Sequence, residues 1–152
     1  MVNNWLLTSN TDNWATPQDL FDHLDKKFHF TLDPCADDKN HKCAKYYTRG
    51  NDWLQQDWSD EIVFMNPPYG REIGKRVKKA RDSALKSDGK VVCLLPARTD
   101  TKRFHEYIYN NDYPELQVDY EFIKWRLKFW WSKNSAPFPS MIVLFTRFYK
   151  NN

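Results

Sequence analysis

The sequence predicts an α/β fold in which a mostly parallel central sheet carries helices on both faces. Three observations lead there. Continuous apolar runs of strand length stop at proline, as in Glu61-Ile62-Val63-Phe64-Met65 before Asn66-Pro67-Pro68 and Lys90-Val91-Val92-Cys93-Leu94-Leu95 before Pro96. Runs of this kind fit interior strands covered on both faces. Segments with helical spacing alternate with them, the pattern of an α/β sandwich. Finally, 152 residues, 41% hydrophobic and 16% aromatic, suffice for one core and leave little room for a second. A single compact domain over residues 1–152 is the expectation, with no separate recognition domain.

In chain order, Thr16-Pro17-Gln18-Asp19 reads as a helix start: Thr16 caps, Pro17 takes the first helical position, and Asp19 sits at the positive end of the dipole. That helix should run to about Lys27 and bury Leu20, Phe21 and Leu24. Phe28-His29-Phe30-Thr31-Leu32 alternates in strand fashion and stops at Asp33-Pro34, where proline ends a ladder. Beyond the strand at 61–65, Ile73, Val77, Ala80 and Ala84 form one helical stripe. Arg71, Lys75, Arg76, Lys78, Lys79 and Arg81 then occupy the rest of that helix surface as a basic face. After the strand at 90–95 come a helix from about Thr101 to Tyr109 and strands at 118–124, 127–131 and 141–149. In such folds ligands bind beyond the carboxyl ends of the strands. Those tips read Asp33-Pro34-Cys35-Ala36, Asn66-Pro67-Pro68-Tyr69 and Pro96-Ala97-Arg98-Thr99.

Several function classes are excluded by composition. No segment approaches the ~20 apolar residues that span a bilayer, and residues 1–10 lack the charged start and apolar run of a signal peptide. An intracellular protein without a membrane partner is expected. Cys35, Cys43 and Cys93 are odd in number and scattered, so reduced thiols are expected. Cys35, His41 and Cys43 suggest zinc, but they supply only three ligands and no C-x-x-C pair, so no metal is expected. His105 reads as an ordinary helix residue. The charge is divided: residues 1–65 carry 6 Lys and Arg against 11 Asp and Glu, while residues 66–152 carry 17 against 9. A basic second half suits a polyanion.

The chemistry concentrates in Asn66-Pro67-Pro68-Tyr69. Two prolines lack N–H groups and fix φ, so the Asn66 side-chain oxygen and a proline carbonyl can face one ligand group as paired acceptors. Paired acceptors suit an exocyclic amino group, which has two hydrogens to donate. Tyr69 offers a flat face for a planar ring, as when a base is held outside its duplex. An amino group conjugated to a ring is a poor nucleophile. Accepting both hydrogens favours a pyramidal nitrogen whose lone pair can be aimed at an electrophilic methyl group, so positioning and electrostatics suffice. No metal and no Ser/His/Asp set is then required.

Asn-Pro-Pro-Tyr after a strand resembles the catalytic motif of S-adenosylmethionine-dependent amino-group methyltransferases. More closely, the chain resembles the phage and prophage DNA N-6-adenine methyltransferases of the Dam-like type. The matching pieces are Trp14-Ala15-Thr16-Pro17, Leu32-Asp33-Pro34-Cys35-Ala36, Tyr46-Tyr47-Thr48, Asp52-Trp53-Leu54 with Trp58, Asn66-Pro67-Pro68-Tyr69-Gly70, Leu95-Pro96-Ala97-Arg98-Thr99-Asp100-Thr101, Arg126-Leu127-Lys128-Phe129 and Ser135-Ala136-Pro137-Phe138-Pro139-Ser140. They run in family order over nearly the whole chain.

The resemblance implies a compact Rossmann-like class I methyltransferase, with 14–65 as a cofactor half and 66–150 as a catalytic and DNA-facing half. It implies S-adenosylmethionine as cofactor and DNA as partner, in a monomer or homodimer in the cytoplasm of a bacterial host. Asn66, Pro67, Pro68 and Tyr69 would be catalytic. Asp33, Pro34, Cys35 and Ala36 would replace the usual Gly-rich cofactor loop. Trp14, Ala15, Thr16 and Pro17 would lie over the methionine end, Asp52 and Leu54 would approach the ribose and adenine, and Asn66 would also face the cofactor. DNA would be met by the basic face and by Arg71, Lys75, Arg98, Lys102, Arg103, Arg126 and Lys128; Trp125, Trp130 and Trp131 are further candidates, at least two of which are expected to pack in the core instead. Lys and Arg would hold phosphates, giving affinity more than sequence choice.

Two departures stand out. Where the family usually shows Asp-Gly-Leu this chain has Trp53, and where it usually shows Gly-Arg-Leu it has Trp125, each a ring with the bulk to close a pocket. The 33 residues from Asp33 to Asn66 are also short for two helix-strand units, so a helix reduced to a loop is expected there. Two other functions fit the same motif: methylation of RNA or of a protein glutamine, and a catalytically idle DNA-binding or host-factor-binding protein that keeps the fold.

Overall fold

The computed structural model describes residues 14–129 and 132–148; Trp130 and Trp131 lie outside the described residues. Its centre is a four-stranded sheet of β1 (Ile62–Met65), β2 (Lys90–Pro96), β3 (Leu116–Phe122) and β4 (Ser140–Arg147), in the order β1-β2-β4-β3. The sheet is mixed, which corrects the mostly parallel expectation. β1 pairs parallel with β2, while β4 pairs antiparallel with both β2 and β3. The chain returns from β3 to β4 through residues 123–139, whose described residues hold no helix, and β4 enters antiparallel, the pairing that needs no crossover helix. One consequence matters for the site: β1, β2 and β3 all point in the same direction, so their carboxyl ends share one rim.

The expected strand at 28–32 shrinks to single bridges. Leu32 bridges Val63 and Asp33 bridges Tyr46, both in parallel. The preceding helix α1 (Gln18–Phe28) explains the loss: His29 closes it in the left-handed region at φ 56°, and the Phe30 amide donates to the Asp25 carboxylate at 2.9 Å. Only 31–33 are left to extend along β1. From there to β1 the described residues hold one 3₁₀ turn, Arg49–Asn51, and no α-helix.

Helix α1 starts one residue later than its sequence suggests. Pro17 is the cap residue, extended at ψ 134°, and no side chain caps the helix. That extended proline carries Thr16 one position too far out to reach the first amides. Phe21 is buried, while Leu20 and Leu24 are half-buried against the core.

Helix α2 (Ile73–Lys86) buries Ile73, Val77, Ala80 and Ala84, as their spacing predicts, and packs on β2 and β4. Its basic face is not uniformly solvated. Arg76 lies 4.3 Å from the Trp53 ring, and the Lys79 ammonium 5.3 Å from Trp58. Arg81 is buried between Tyr107 at 4.8 Å and Tyr113 at 4.9 Å. Half of the stripe therefore clamps aromatic rings, leaving Arg71, Lys75 and Lys78 exposed. The predicted helix near 101–109 is present, wound as a π-helix over Phe104–Tyr109. Residues 127–129 of the expected strand at 127–131 are not strand, and its last two residues lie outside the described ones.

Candidate active site

A cavity of about 260 Å³ opens at the rim, just below the ~300–1,000 Å³ usual for small-molecule sites. Three stretches distant in sequence line it: Trp14, Ala15 and Thr16; Asp33, Pro34, Cys35 and Ala36; and Phe64, Asn66 and Pro68. Most of the residues that the resemblance assigns to a cofactor are thus brought together. Pro17, Asp52 and Leu54 are not among the lining; Asp52 is exposed at the end of the 3₁₀ turn, with φ 44°.

Asn66 is held in one orientation. Its Nδ2 donates to the Trp14 carbonyl and to Thr16 Oγ1, the latter at 2.9 Å. Both amide hydrogens are used, so Oδ1 faces the opposite way, where the Tyr69 hydroxyl donates to it at 3.2 Å. An amide oxygen has two lone pairs, and one remains for a ligand. Thr16 is therefore an orienting residue for Asn66 and not a helix cap.

Tyr69 does not present a face, contrary to the expectation from sequence. It is 9% exposed, with its ring edge-on to Phe138 at 5.3 Å and Phe129 at 6.4 Å. Its hydroxyl reaches Asn66 Oδ1 and the Leu94 carbonyl, which draws the ring inward under the motif. Burial pushes its phenol well above the ordinary range. Phe138 also packs edge-on against Trp14 at 5.2 Å, so one aromatic cluster closes this end of the cavity. Pro67 is buried. The Pro68 carbonyl accepts from Arg76 Nη1 at 3.3 Å, which ties the motif to α2 and, through the guanidinium, to the Trp53 ring.

Asp33 closes the other side. Its Oδ2 accepts from the Lys42 amide at 2.9 Å and its Oδ1 from the Cys35 amide at 3.3 Å. Burial raises its carboxyl above the ordinary range, and those two bonds together with the Lys42 and His41 charges oppose the rise. Burial likewise pushes the Cys35 thiol up, with Asp33 adding to it, and the Cys43 thiol up to about 12. Neither is a ready nucleophile or metal ligand. His41 stacks on Tyr46 at 4.0 Å, its Nδ1 2.9 Å from the Cys43 carbonyl, and among the described residues no group of His, Cys, Asp and Glu is arranged to hold a metal ion.

The lining also contains residues that sequence reasoning did not assign to it: Asp37, Asp38, Asn40, Lys42, Thr48, Arg49 and Gly50. The available signal was their position in the loops following the Asp33 tip and the Tyr46-Tyr47-Thr48 piece. Trp53, noted as a departure, lines the wall without filling the space. The donor set suits a ligand that carries a cation, a carboxylate and a flat ring: Asp33, Asp37 and Asp38 for the first, Lys42 and Arg49 for the second, and Trp14 and Trp53 for the third.

Of the proposed DNA contacts, Arg98 and Lys102 are exposed beyond β2, with Lys102 3.6 Å from Glu106. Arg103 is half-buried, and burial lowers its pKa, with the Arg98 charge adding to the effect. Lys75 pairs with Glu72 at 2.9 Å, and Arg126 donates to the Ala136 carbonyl at 3.4 Å. Arg71 and Lys128 are exposed. Trp125, the second departure, stands exposed with φ 68°, a left-handed conformation that favours glycine. Among the described residues no helix is long and apolar enough to cross a membrane.

Comparison with known proteins adds independent information. A family model described as DNA N-6-adenine-methyltransferase (Dam) matches residues 4–151. The chain is 33% identical over 104 residues to the DNA N-6-adenine-methyltransferase of Haemophilus phage HP1 (strain HP1c1), covering 67% of this chain and 60% of that protein. It is 32% identical over 97 residues to the DNA N-6-adenine-methyltransferase of Escherichia phage T1, covering 62% of this chain and 40% of that protein. The matches therefore span 60% and 40% of the two phage relatives' lengths.

Proposed function

The chain belongs to the DNA N-6-adenine-methyltransferase (Dam) family, and from that premise we propose that it transfers a methyl group from S-adenosylmethionine to the N6 amino group of adenine in DNA. The bound cofactor supplies an electrophilic methyl group on a sulfonium. Trp14, Asp33, Lys42, Arg49 and Trp53 would hold it, a set that fits its ammonium, sulfonium, carboxylate and adenine. On this reading residues 14–65 form the cofactor half of a class I methyltransferase, and 66–150 the catalytic and DNA-facing half.

The single observation that carries the proposal is the fixed orientation of Asn66. With Nδ2 engaged by Trp14 and Thr16, the side chain can only accept at the cavity, and Oδ1 keeps a lone pair for an amino hydrogen. The Pro67 carbonyl is the second acceptor. Together they favour a pyramidal amino nitrogen, and an acceptor held before the substrate arrives needs no reorganisation. The N6 proton leaves after the methyl group has transferred, so no strong base is needed beforehand. Stacking of adenine on Tyr69 requires Phe138 to withdraw from that ring.

Incubating the protein with tritium-labelled cofactor and, separately, DNA, RNA and protein tests the proposal. Label is expected in DNA alone. Asn66→Ala should lower the rate about 100-fold or more while the protein still binds cofactor. A wild-type rate in that variant contradicts the assignment.

A further inference from the structure

Four large apolar side chains stand exposed on or near the edge strand β3: Tyr109, Tyr120, Phe122 and Trp125, at 58, 41, 52 and 79%. Ring contacts join the first three into a strip through Phe104. Phe104 lies 5.8 Å from Tyr109 and 6.3 Å from Tyr120, which is 5.7 Å from Phe122. Trp125 follows β3 with the Lys124 ammonium 5.2 Å from its ring. It holds φ 68°, which a bulky residue adopts only at a cost. A strained backbone carrying an exposed indole is a reason to look for what that ring meets. A clustered apolar surface of this kind marks an interaction site.

Position and charge name the occupant. Phe122 ends β3 on the same rim where Met65 and Pro96 end β1 and β2. In the order β1-β2-β4-β3, three strand spacings of ~4.8 Å separate it from β1, about 14 Å, or some four stacked nucleotide steps of ~3.4 Å. Lys102, Arg103, Lys124, Arg126 and Lys128 flank the strip in sequence. Asp119 and Glu121 point to the other face of β3, since successive side chains alternate.

We propose that Tyr109, Tyr120, Phe122 and Trp125 form a stacking platform for unpaired bases of single-stranded or locally opened DNA beside the target nucleotide. This rests on the DNA reading above and specifies the form of DNA. Exposed rings interleaved with cations bind single strands by stacking any base and holding the phosphates. In a closed duplex the base faces are covered by their neighbours, so the rings give no comparable advantage.

The test is fluorescence anisotropy at fixed salt, with a labelled single-stranded oligonucleotide and the same sequence as a blunt duplex. The wild-type protein should favour the single strand. The Phe122→Ala/Trp125→Ala double variant should lose at least about tenfold there and less than threefold on duplex. Trp125→Ala alone lies outside the sheet and carries the test, with at least about fivefold loss, if the double variant is unstable. Equal losses on both forms, or none, overturn the platform. So does a wild-type dimer in sedimentation that the substitutions dissociate, because the face would then be an interface between copies. Methyl transfer read in parallel separates the two claims. Lost strand selectivity without any transfer by the wild type removes the reaction and keeps the platform, whereas transfer with unaltered selectivity removes the platform alone.

Discussion

Arg76 shows how one side chain can join two parts of a site. Its guanidinium packs 4.3 Å from the Trp53 ring on the cavity wall, while Nη1 donates to the Pro68 carbonyl inside the motif. Arg76→Ala would free that carbonyl and uncover the ring, and a small misplacement of the reacting groups can cost 10²-fold. Its kcat is expected to fall about ten- to hundredfold, with cofactor affinity changing less than about threefold, as separated by single-turnover kinetics and calorimetry. Equal effects on both, or none, would contradict a positioning role. Sequence reading at this scale singled out Asn66 and Asp33, because a strand tip followed by proline is a local signal, and Trp14 through the family resemblance; all three line the cavity. It read Thr16 as a helix cap, which it is not, and did not foresee the burial of Tyr69. The hydroxyl of Thr16 is engaged by Asn66, 50 positions away, and the ring of Tyr69 by Phe138, and such contacts leave no trace in local spacing. Arg76, Lys79 and Arg81 read as part of a DNA-facing basic surface for the same reason: a cation can lie across an aromatic ring as readily as in water.

At the scale of elements, the helix and strand periods predicted α2, β1, β2 and the buried face of α1. The sheet's mixed pairing was not legible, since an apolar run has no direction, and neither was the loss of the strand at 28–32 to the left-handed His29. The α2-to-β2 turn offers a stability test. A Cβ on Gly89 would meet the Glu61 carbonyl oxygen at 2.5 Å, against backbone just before β1. Gly89→Ala should destabilise the protein by about 1–3 kcal/mol, as overpacking does. Gly74, near the start of α2, has its closest contact at 3.9 Å, so Gly74→Ala should stabilise by about 0.5–1 kcal/mol. Chemical denaturation of the two variants is expected to give opposite signs, and the same sign for both would contradict this packing at the turn.

Across the whole molecule, three strands of common direction put Asn66, Pro96 and Phe122 on one rim, although β3 joins the sheet through the reversed strand β4. The division of charge seen in the sequence acquires a location there. Asp33, Asp37 and Asp38 lie at the cavity, while Arg98, Lys102 and Arg103 follow the tip of β2. This division suits a cationic cofactor on one side and a polyanion on the other. Membership of the Dam family was legible because eight short pieces keep their order, whereas the depth of Tyr69 and the aromatic strip at β3 arise from contacts between segments distant in sequence. The most direct measurement is nucleoside analysis by mass spectrometry of DNA treated with the protein and S-adenosylmethionine. N6-methyladenine should appear as the methylated nucleoside and should be absent with Asn66→Ala; methylated cytosine, or unmodified DNA from a protein that binds the cofactor, would contradict the account.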